Sequence, residues 1–171
     1  MICPNCGFDN VPGAEECGQC RQDLTHLDRP IPLDRFEQRL LADSIRVLQP
    51  AKTVAVRPTD SLRKALSAMV LHKVGAVVVT DEKEKLIGIL SERDLTHRAV
   101  GKPEPLEKLT VADFMTPRPM TVTLDEPLVY AFHKMDVGEY RHLPVVEGET
   151  PIGMISVKGL LAYVAKHLGE K

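Results

Sequence analysis

Four cysteines near the start of the chain are the side chains best suited to hold a metal ion. They form two CxxC pairs separated by ten residues, and no other cysteine occurs: Cys3, Cys6, Cys17 and Cys20. Two such pairs can each wrap a turn of backbone around one ion, so that four thiolates meet in a tetrahedron. Gly7 and Gly18 stand where tight turns need small residues. The pattern predicts a structural zinc site; iron, and two disulfides or free thiols, are the alternatives.

The segment around the cysteines is short and acidic. Residues 1–30 contain two arginines and five carboxylates, so this segment is a poor binder of nucleic-acid phosphate. About thirty residues bury too little apolar surface to fold alone, which couples folding to metal binding. The stretch CPNCGFDNVPGAEECGQC resembles the short zinc-ribbon family over residues 1–24. That resemblance implies binding to nucleic acid or protein, and the acidic charge favours a protein-contacting or purely structural role here. A rubredoxin-like electron carrier is the iron alternative.

A second candidate for chemistry is GILSERD, which runs from Gly88 to Asp94. It recurs as GMISVKG, where Gly159 stands in place of the carboxylate. Ser91 is predicted to end a strand and begin a helix, so Ser91 and Asp94 can form a capping box without any ligand. A carboxylate at such a corner can also accept hydrogen bonds from the vicinal hydroxyls of a ribose.

The two corners belong to an internal repeat. The stretch VAVRPTDSLRKALSAM aligns with MTVTLDEPLVYAFHKM, and four apolar positions coincide: Val56 with Val122, Leu62 with Leu128, Ala65 with Ala131, and Met69 with Met135. Each copy predicts an extended piece, a helix, a buried strand, a charged turn, a second strand and a serine-led helix. One β-α-β-β-α unit is too small to bury both faces of its sheet. We therefore expect an α/β (α+β) fold with two units in pseudo-twofold packing.

Residues 45–167 resemble a pair of CBS domains, the tandem known as a Bateman module. The resemblance is carried by TVAVRPTDSLRKAL, GAVVVTDEKEKLIGILSERDL, VADFMTPRPMTVTLDEPL and RHLPVVEGETPIGMISVKGL. The predicted organisation is a zinc ribbon at 1–24, a linker and helix at 25–50, and CBS repeats at 51–103 and 104–171. The linker helix is predicted to be capped by Asp34. Its apolar face would pack on the main domain or form a dimer contact: Phe36, Leu40, Leu41, Ile45 and Leu48.

The resemblance implies a site for adenosine between the repeats. Asp94 would bind the ribose hydroxyls with support from Ser91. The second repeat would supply the phosphate contacts from Arg141, His142 and Lys158. The adenine slot would be lined by Ile89, Leu90, Met120 and Thr121.

The pseudo-symmetric cleft departs from this pattern. It would use Ser156 and a cation from Arg93, but Gly159 offers it no carboxylate. Gly75 and Ala76 stand there in place of Arg141 and His142. We expect this cleft to be empty or to bind weakly.

The bulk properties exclude several function classes. The net charge of −2 gives no basic surface for nucleic acid or an anionic membrane. The apolar runs are far below the roughly 20 residues of a membrane helix, and the start of the chain lacks the features of a secretion signal. The expected location is therefore cytoplasmic.

We find no nucleophile–base pair, no paired carboxylates and no Walker loop in the sequence, so an enzyme is not expected. The leading hypothesis is a homodimeric regulatory module. It would bind AMP, ADP, ATP or S-adenosylmethionine and signal to a protein partner. The alternative is an interaction scaffold in which the zinc ribbon does the binding and the CBS pair carries no ligand.

Overall fold

The computed structural model describes residues 2–11, 14–25 and 35–167. The chain divides into two units, Met1–Arg35 and Phe36–Lys171. Asp34, predicted to cap the linker helix, and the side chain of Phe36 lie outside what the structure describes. None of the helices in the described ranges is long and apolar enough to cross a bilayer.

The first unit consists of two similar turns of backbone. The Gly7 N–H donates to the Cys3 carbonyl and the Arg21 N–H donates to the Cys17 carbonyl, both at 2.9 Å. Gly7 has φ +72°, which a glycine adopts without strain. In the second turn Arg21 has the positive φ, at +55°, so Gly18 does not take the role that Gly7 has in the first. Cys3, Cys17 and Leu24 are buried together as the small core of this unit.

The second unit begins with helix α1 (Arg35–Ala42) and a 3-10 turn (Ile45–Leu48). The single helix predicted through this region is therefore interrupted. The interruption has a local cause, because the Asp43 carbonyl accepts from Leu128 N at 2.7 Å and Ile45 N donates to the Glu126 carbonyl at 3.0 Å. These bonds to another part of the chain replace the bonds that would continue the helix. Ile45 is fully buried, which supports packing of this segment on the main domain.

The rest of the second unit follows the predicted repeat. The first copy and its exit comprise β1 (Ala55–Val56), α2 (Leu62–His72), β2 (Ala76–Thr80), β3 (Leu86–Ser91), α3 (Glu92–Asp94), a π-helical turn (Leu95–Ala99), α4 (Val111–Phe114) and β4 (Thr116–Pro117). The second copy comprises α5 (Leu128–Val137), β5 (His142–Glu147), β6 (Thr150–Ser156) and α6 (Val157–His167). Its opening strand is reduced to one parallel bridge between Val122 and Val145. The mixed α+β class and the repeated element order are confirmed.

Each repeat is completed by the segment that leads into the other one. The first sheet has the order β1-β2-β3-β4, with β1 parallel to β2 and the other pairs antiparallel. Its edge strand β4 leads into the second repeat. In the same way Ala51, which leads into the first repeat, pairs with Met154 on β6. The two repeats are therefore interlocked through their connecting segments.

The aligned apolar positions of the two repeats occupy equivalent places in two cores. Four of them lie in the core of the first repeat and their counterparts lie in the core of the second: Val56, Leu62, Ala65 and Met69, and Val122, Leu128, Ala131 and Met135. All eight are at most 6% exposed. The repeat in the sequence thus corresponds to two hydrophobic cores that are packed in the same way.

The glycine that opens each corner is required by this interlocking. A Cβ on Gly88 would lie 2.6 Å from Met115 Sδ and 3.2 Å from the Thr116 carbonyl oxygen. A Cβ on Gly153 would lie 2.8 Å from Pro50 Cβ. In both repeats the incoming segment passes directly over the glycine, so any side chain there has to displace it.

We expect Gly88→Ala and Gly153→Ala each to lower the free energy of unfolding by about 1–3 kcal/mol, the usual cost of overpacking. Gly159→Ala is the matched control. Its Cβ would approach nothing closer than Ser156 Oγ at 3.7 Å, and alanine is favoured over glycine in a helix by about 1 kcal/mol. Urea unfolding followed by circular dichroism measures all three. Equal stabilities for the three variants would contradict the steric explanation.

Candidate functional site

The four cysteines lie close enough together to bind a single metal ion. All four sulfurs are within 4.8 Å of one another. Cys3 Sγ and Cys20 Sγ are 3.6 Å apart, and Cys6 Sγ and Cys17 Sγ are 3.5 Å apart. Four sulfurs bound to zinc at about 2.3 Å lie about 3.8 Å from one another in a tetrahedron, whereas a disulfide bond is about 2.0 Å long. The arrangement therefore fits a four-thiolate metal site better than two disulfides.

Neighbouring groups favour the thiolate form of two of these cysteines. The backbone N–H of Cys20 lowers the pKa of Cys17 to about 6, and that of Gln22 lowers the pKa of Cys20. Asn10 is buried and donates to Cys17 Sγ at 3.7 Å, while its Oδ1 accepts from Gly18 N at 2.9 Å. Asn5 donates to Cys20 Sγ at 3.5 Å. Such donors around the sulfur atoms are typical of metal-binding thiolates.

The corner at the end of β3 forms the predicted capping box. Asp94 N donates to Ser91 Oγ at 3.3 Å, and Ser91 N donates to Asp94 Oδ2 at 2.9 Å. Ser91 Oγ also donates to Asp94 Oδ2 at 2.6 Å. The capping interpretation is therefore confirmed, and any ligand contact of Asp94 comes in addition to it. Gly159 N donates to Ser156 Oγ at 3.2 Å in the other repeat, where no carboxylate completes the box.

The corner faces a cleft of about 380 Å³, which we call the first cleft. Its walls are the β3 corner, the segment around β4, and the loop from α5 to β5. Six of the nine predicted nucleotide-site residues line it: Ile89, Ser91, Asp94, Met120, Arg141 and His142. The side chain of Asp94 is 15% exposed, so it combines partial burial with access to the cleft.

Three predicted residues do not line the first cleft. Leu90 is fully buried in the core of the first repeat, because successive side chains of a strand point to opposite faces and Ile89 and Ser91 take the cleft side. Thr121 is absent from the lining, and its carbonyl accepts from Lys134 Nζ at 3.0 Å. Lys158 lines the other cleft, because it follows Ser156 on the corner of the second repeat.

Three arginines at or beside the first cleft were not among the predicted site residues. Arg93 had been expected in the other cleft, but it lines the first cleft and donates to the Glu139 carbonyl at 3.3 Å. Arg118 reaches the cleft from the segment after β4. Arg98 donates to Asp94 Oδ1 at 3.3 Å and to the Phe114 carbonyl at 2.8 Å. The i,i+4 spacing of Asp94 and Arg98 was a usable sequence signal for this pair.

The pseudo-symmetric second cleft has a volume of about 530 Å³. It is lined by the β6 corner, the segment before β1 and the loop from α2 to β2. Arg141 and His142 line both clefts. Arg141 forms a 3.7 Å ion pair with Glu92, and a Cβ on Gly75 would lie 3.0 Å from the Glu92 carboxylate and 3.1 Å from His142 Nε2. Gly75 therefore gives these two side chains room at the wall between the clefts.

His142 is held in its neutral form at neutral pH. Burial lowers its pKa below the ordinary 6.5, while the charge of Glu92 opposes and the charge of Arg141 adds to the shift. As the pH falls, the imidazole of His142 is therefore protonated in the unfolded chain before it is protonated in the folded protein. The neutral, buried imidazole contributes fully to the free energy of unfolding above pH 6.5, and this contribution is lost as the pH falls toward the folded pKa.

We expect the wild-type free energy of unfolding to fall more steeply between pH 7.5 and pH 5 than that of His142→Asn. Urea denaturation at several pH values gives both slopes. The chemical shift of the His142 ring proton gives the folded pKa directly. A ring that titrates above 6.5 would contradict the assignment.

The sequence matches a known family over most of its length. Residues 48–101 and 111–166 each match the CBS domain family. The Arabidopsis thaliana CBS domain-containing protein CBSCBSPB1 is 31% identical over 137 residues, which cover 80% of this chain and 24% of that protein. The chain thus spans about a quarter of the length of that curated relative. It belongs to the CBS domain family and carries two CBS repeats; the matched residues leave the four cysteines outside.

Solved structures share the fold of the second unit. The crystal structure of a CBS domain designated NE2398 has a TM-score of 0.67 at 28% identity, and it covers 72% of this chain and 98% of its own. The structure of CBSX2 in complex with AMP has a TM-score of 0.63 at 22% identity, covering 72% and 97%. The predicted CBS-pair fold is thereby confirmed.

Proposed function

We propose that this protein is a non-catalytic regulatory module whose first cleft binds an adenosine-containing ligand, of the class of AMP, ADP, ATP or S-adenosylmethionine. The observation that carries the proposal is the Asp94 carboxylate, which lines the first cleft together with Arg141. A carboxylate for the ribose and a guanidinium for the phosphate are the two polar groups that such a ligand needs most.

Asp94 has hydrogen-bonding capacity left for a ribose. Its Oδ2 accepts from Ser91 and its Oδ1 accepts from Arg98. A carboxylate offers about four lone-pair sites, so Oδ1 retains one for a hydroxyl donor. The bonds from Ser91 and Arg98 also hold the carboxylate in one orientation. That preorganisation reduces the entropy lost on binding.

The cationic groups of the first cleft suit a phosphate. Arg93, Arg118 and Arg141 line it, and they come from the β3 corner, the segment after β4 and the residue before β5. Guanidinium groups bind phosphate oxygens in a fork geometry. Because burial lowers the pKa of His142 and disfavours its charged form, we assign the phosphate contacts to the arginines and give His142 a hydrogen-bonding role.

An apolar wall is available for the base. Ile89 is 9% exposed and Met120 is 46% exposed, and both line the first cleft with Pro117 and Pro119. A flat purine can pack between a strand side chain and a methionine without a polar partner for its faces. The structural relative CBSX2, whose crystal structure is a complex with AMP, supports this ligand class.

The test is a calorimetric titration of the full chain with AMP, ADP, ATP and S-adenosylmethionine. We expect one of them to bind at the first cleft with a dissociation constant in the micromolar range, the strength of about −8 kcal/mol. Absence of binding for all four would reject the proposal and favour the scaffold alternative, in which the cysteine unit does the binding.

We also propose that the four cysteines hold one structural zinc ion and that residues 1–24 form a zinc ribbon. The sulfur separations and the hydrogen bonds from Asn5 and Asn10 to the sulfurs support this. Zinc bound by four thiolates stabilises a small unit without redox chemistry. Iron remains the alternative ion, and its visible absorbance distinguishes it from zinc.

The quaternary proposal is a homodimer that transmits ligand occupancy to a protein partner from a cytoplasmic location. Leu71 on α2 and Val137 on α5 are equivalent in the repeat, and they are 76% and 71% exposed. Apolar side chains exposed on two neighbouring repeats suit an isologous contact with a second copy. Light scattering measures the mass of the assembly in solution.

We also propose the following division of the chain. Residues 25–50 form a linker and helix, residues 51–103 form the first CBS repeat, and residues 104–171 form the second.

A further inference from the structure

The second cleft differs from the first in charge at matched positions of the repeat. Arg93 and Arg118 of the first cleft have Lys158 and Lys52 as counterparts in the second. The acidic positions do not match in the same way. Asp94 corresponds to Gly159, and Glu139 in the first cleft corresponds to Lys73 in the second. The second cleft has therefore lost both carboxylates and gained a lysine.

Positive charge is therefore concentrated in the second cleft, although the net charge of the whole protein is −2. Among the described residues, four cationic side chains and one carboxylate, Glu92, line the second cleft; the cations are Lys52, Lys73, Arg141 and Lys158. Glu92 already pairs with Arg141. Within the part of the chain that the structure describes, no ion pair engages any of the three lysines. Converging cations inside a cleft raise the local concentration of anions.

Lys73 occupies this place at a cost in backbone energy. It follows α2 with φ +53°, a conformation that favours glycine. Its N–H closes the helix by donating to Met69 and Val70. Glu139 has φ +51° at the equivalent place after α5. Each cleft is thus lined by one residue with the same unusual backbone conformation, and the side chains of these two residues carry opposite charges.

We propose that the second cleft is a binding site for oligophosphate anions, which it holds by their phosphate groups and without any contact to a ribose. Lysines act as point charges toward phosphate oxygens and Arg141 adds a fork. The first turn of α6 contributes Val157 and Lys158 to the same cleft, next to Ser156 at the end of β6, so the positive end of the helix dipole adds to the side-chain charges. Its volume of about 530 Å³ accommodates a chain of several phosphates.

The test uses inorganic tripolyphosphate as the probe, with the full-length protein. Binding is measured by calorimetry at fixed ionic strength, in parallel with citrate and with adenosine. We expect tripolyphosphate to bind and both citrate and adenosine to bind at least about tenfold more weakly, since citrate lacks phosphate and adenosine lacks charge. Binding that is equally strong for citrate would overturn the phosphate assignment.

Matched variants locate the site. Lys158→Gln is expected to weaken tripolyphosphate binding by about 10-fold. The double variant Lys158→Gln with Lys73→Gln is expected to weaken it by about 100-fold, because each lost charge-assisted bond contributes about 1.4 kcal/mol or more. Lys166→Gln is the control, because it removes the same charge from an exposed position on the same helix outside the second cleft. Equal weakening in the control would overturn the proposal.

The experiment separates this inference from the function proposed for the first cleft. Asp94→Asn removes the ribose carboxylate and leaves the second cleft intact, so tripolyphosphate binding should persist in that variant. Loss of tripolyphosphate binding in Asp94→Asn would reject the second cleft as the site. Failure of the four adenosine compounds to bind would reject only the first-cleft proposal, since the probe contains no nucleoside.

Discussion

Replacing Cys17 by serine is expected to reduce the bound metal from about one ion per chain to nearly none and to unfold the first unit. Cys17 is buried, accepts from Asn10 and forms part of the small core with Cys3 and Leu24. This core is too small to stabilise the unit alone, whereas a structural zinc ion contributes on the order of 10 kcal/mol to such folding. Elemental analysis after dialysis gives the metal content, and limited proteolysis between residues 2 and 25 reports the folding.

The control for this prediction is Gln19→Ser, which changes an exposed side chain in the same turn without touching a sulfur. It should keep the metal and the protease resistance of the wild type. Retention of a full metal complement by Cys17→Ser would contradict the four-cysteine site. A visible absorption band that disappears with the metal would identify iron in place of zinc.

Asp94→Asn is expected to weaken binding of an adenosine ligand by about 10- to 100-fold. The amide keeps an oxygen for the cap but loses the charge that strengthens hydrogen bonds from the ribose hydroxyls, and such bonds contribute about 1.5–3 kcal/mol. Asp113→Asn is the matched control. Asp113 has the equivalent capping position on α4, where it accepts from Thr110 Oγ1 at 2.6 Å, and it lines neither cleft.

A second measurement separates ribose recognition from helix capping. In the wild type, the analogue of AMP that lacks both ribose hydroxyls should bind as weakly as AMP binds to Asp94→Asn. In Asp94→Asn the two compounds should bind almost equally, because the interaction has already been lost. If deleting the hydroxyls costs the same in both proteins, then Asp94 acts only as a cap.

Much of the second unit could be predicted because its information is local and repeated. The spacing of Leu62, Ala65 and Met69 indicated a helix, and the same spacing in the second copy indicated the same core. The corner of Ser91 and Asp94 was recognisable because a capping box spans only four residues. These features depend on neighbours in sequence, so periodicity and motif spacing suffice to find them.

The residues that line each cleft were harder to predict, because the connecting segments cross from one repeat to the sheet of the other. Lys52 and Arg118 reach the clefts only because each connecting segment pairs with the sheet of the other repeat. Lys158 and Arg93 were assigned to the wrong clefts, since the sequence does not show which loop each corner faces. Leu90 was predicted to line the adenine slot together with Ile89, but adjacent side chains of a strand point to opposite faces, so only one of the two can line the cleft.

The position of Arg141 has a consequence when ligands are available for both clefts at the same time. It lines both clefts, so anionic occupants of the two clefts would share the donors and the charge of a single guanidinium. Two ligands that compete for it are negatively linked, and thermodynamic reciprocity requires each to weaken the other by the same factor. The occupancy of each cleft would then depend on the concentrations of both ligands.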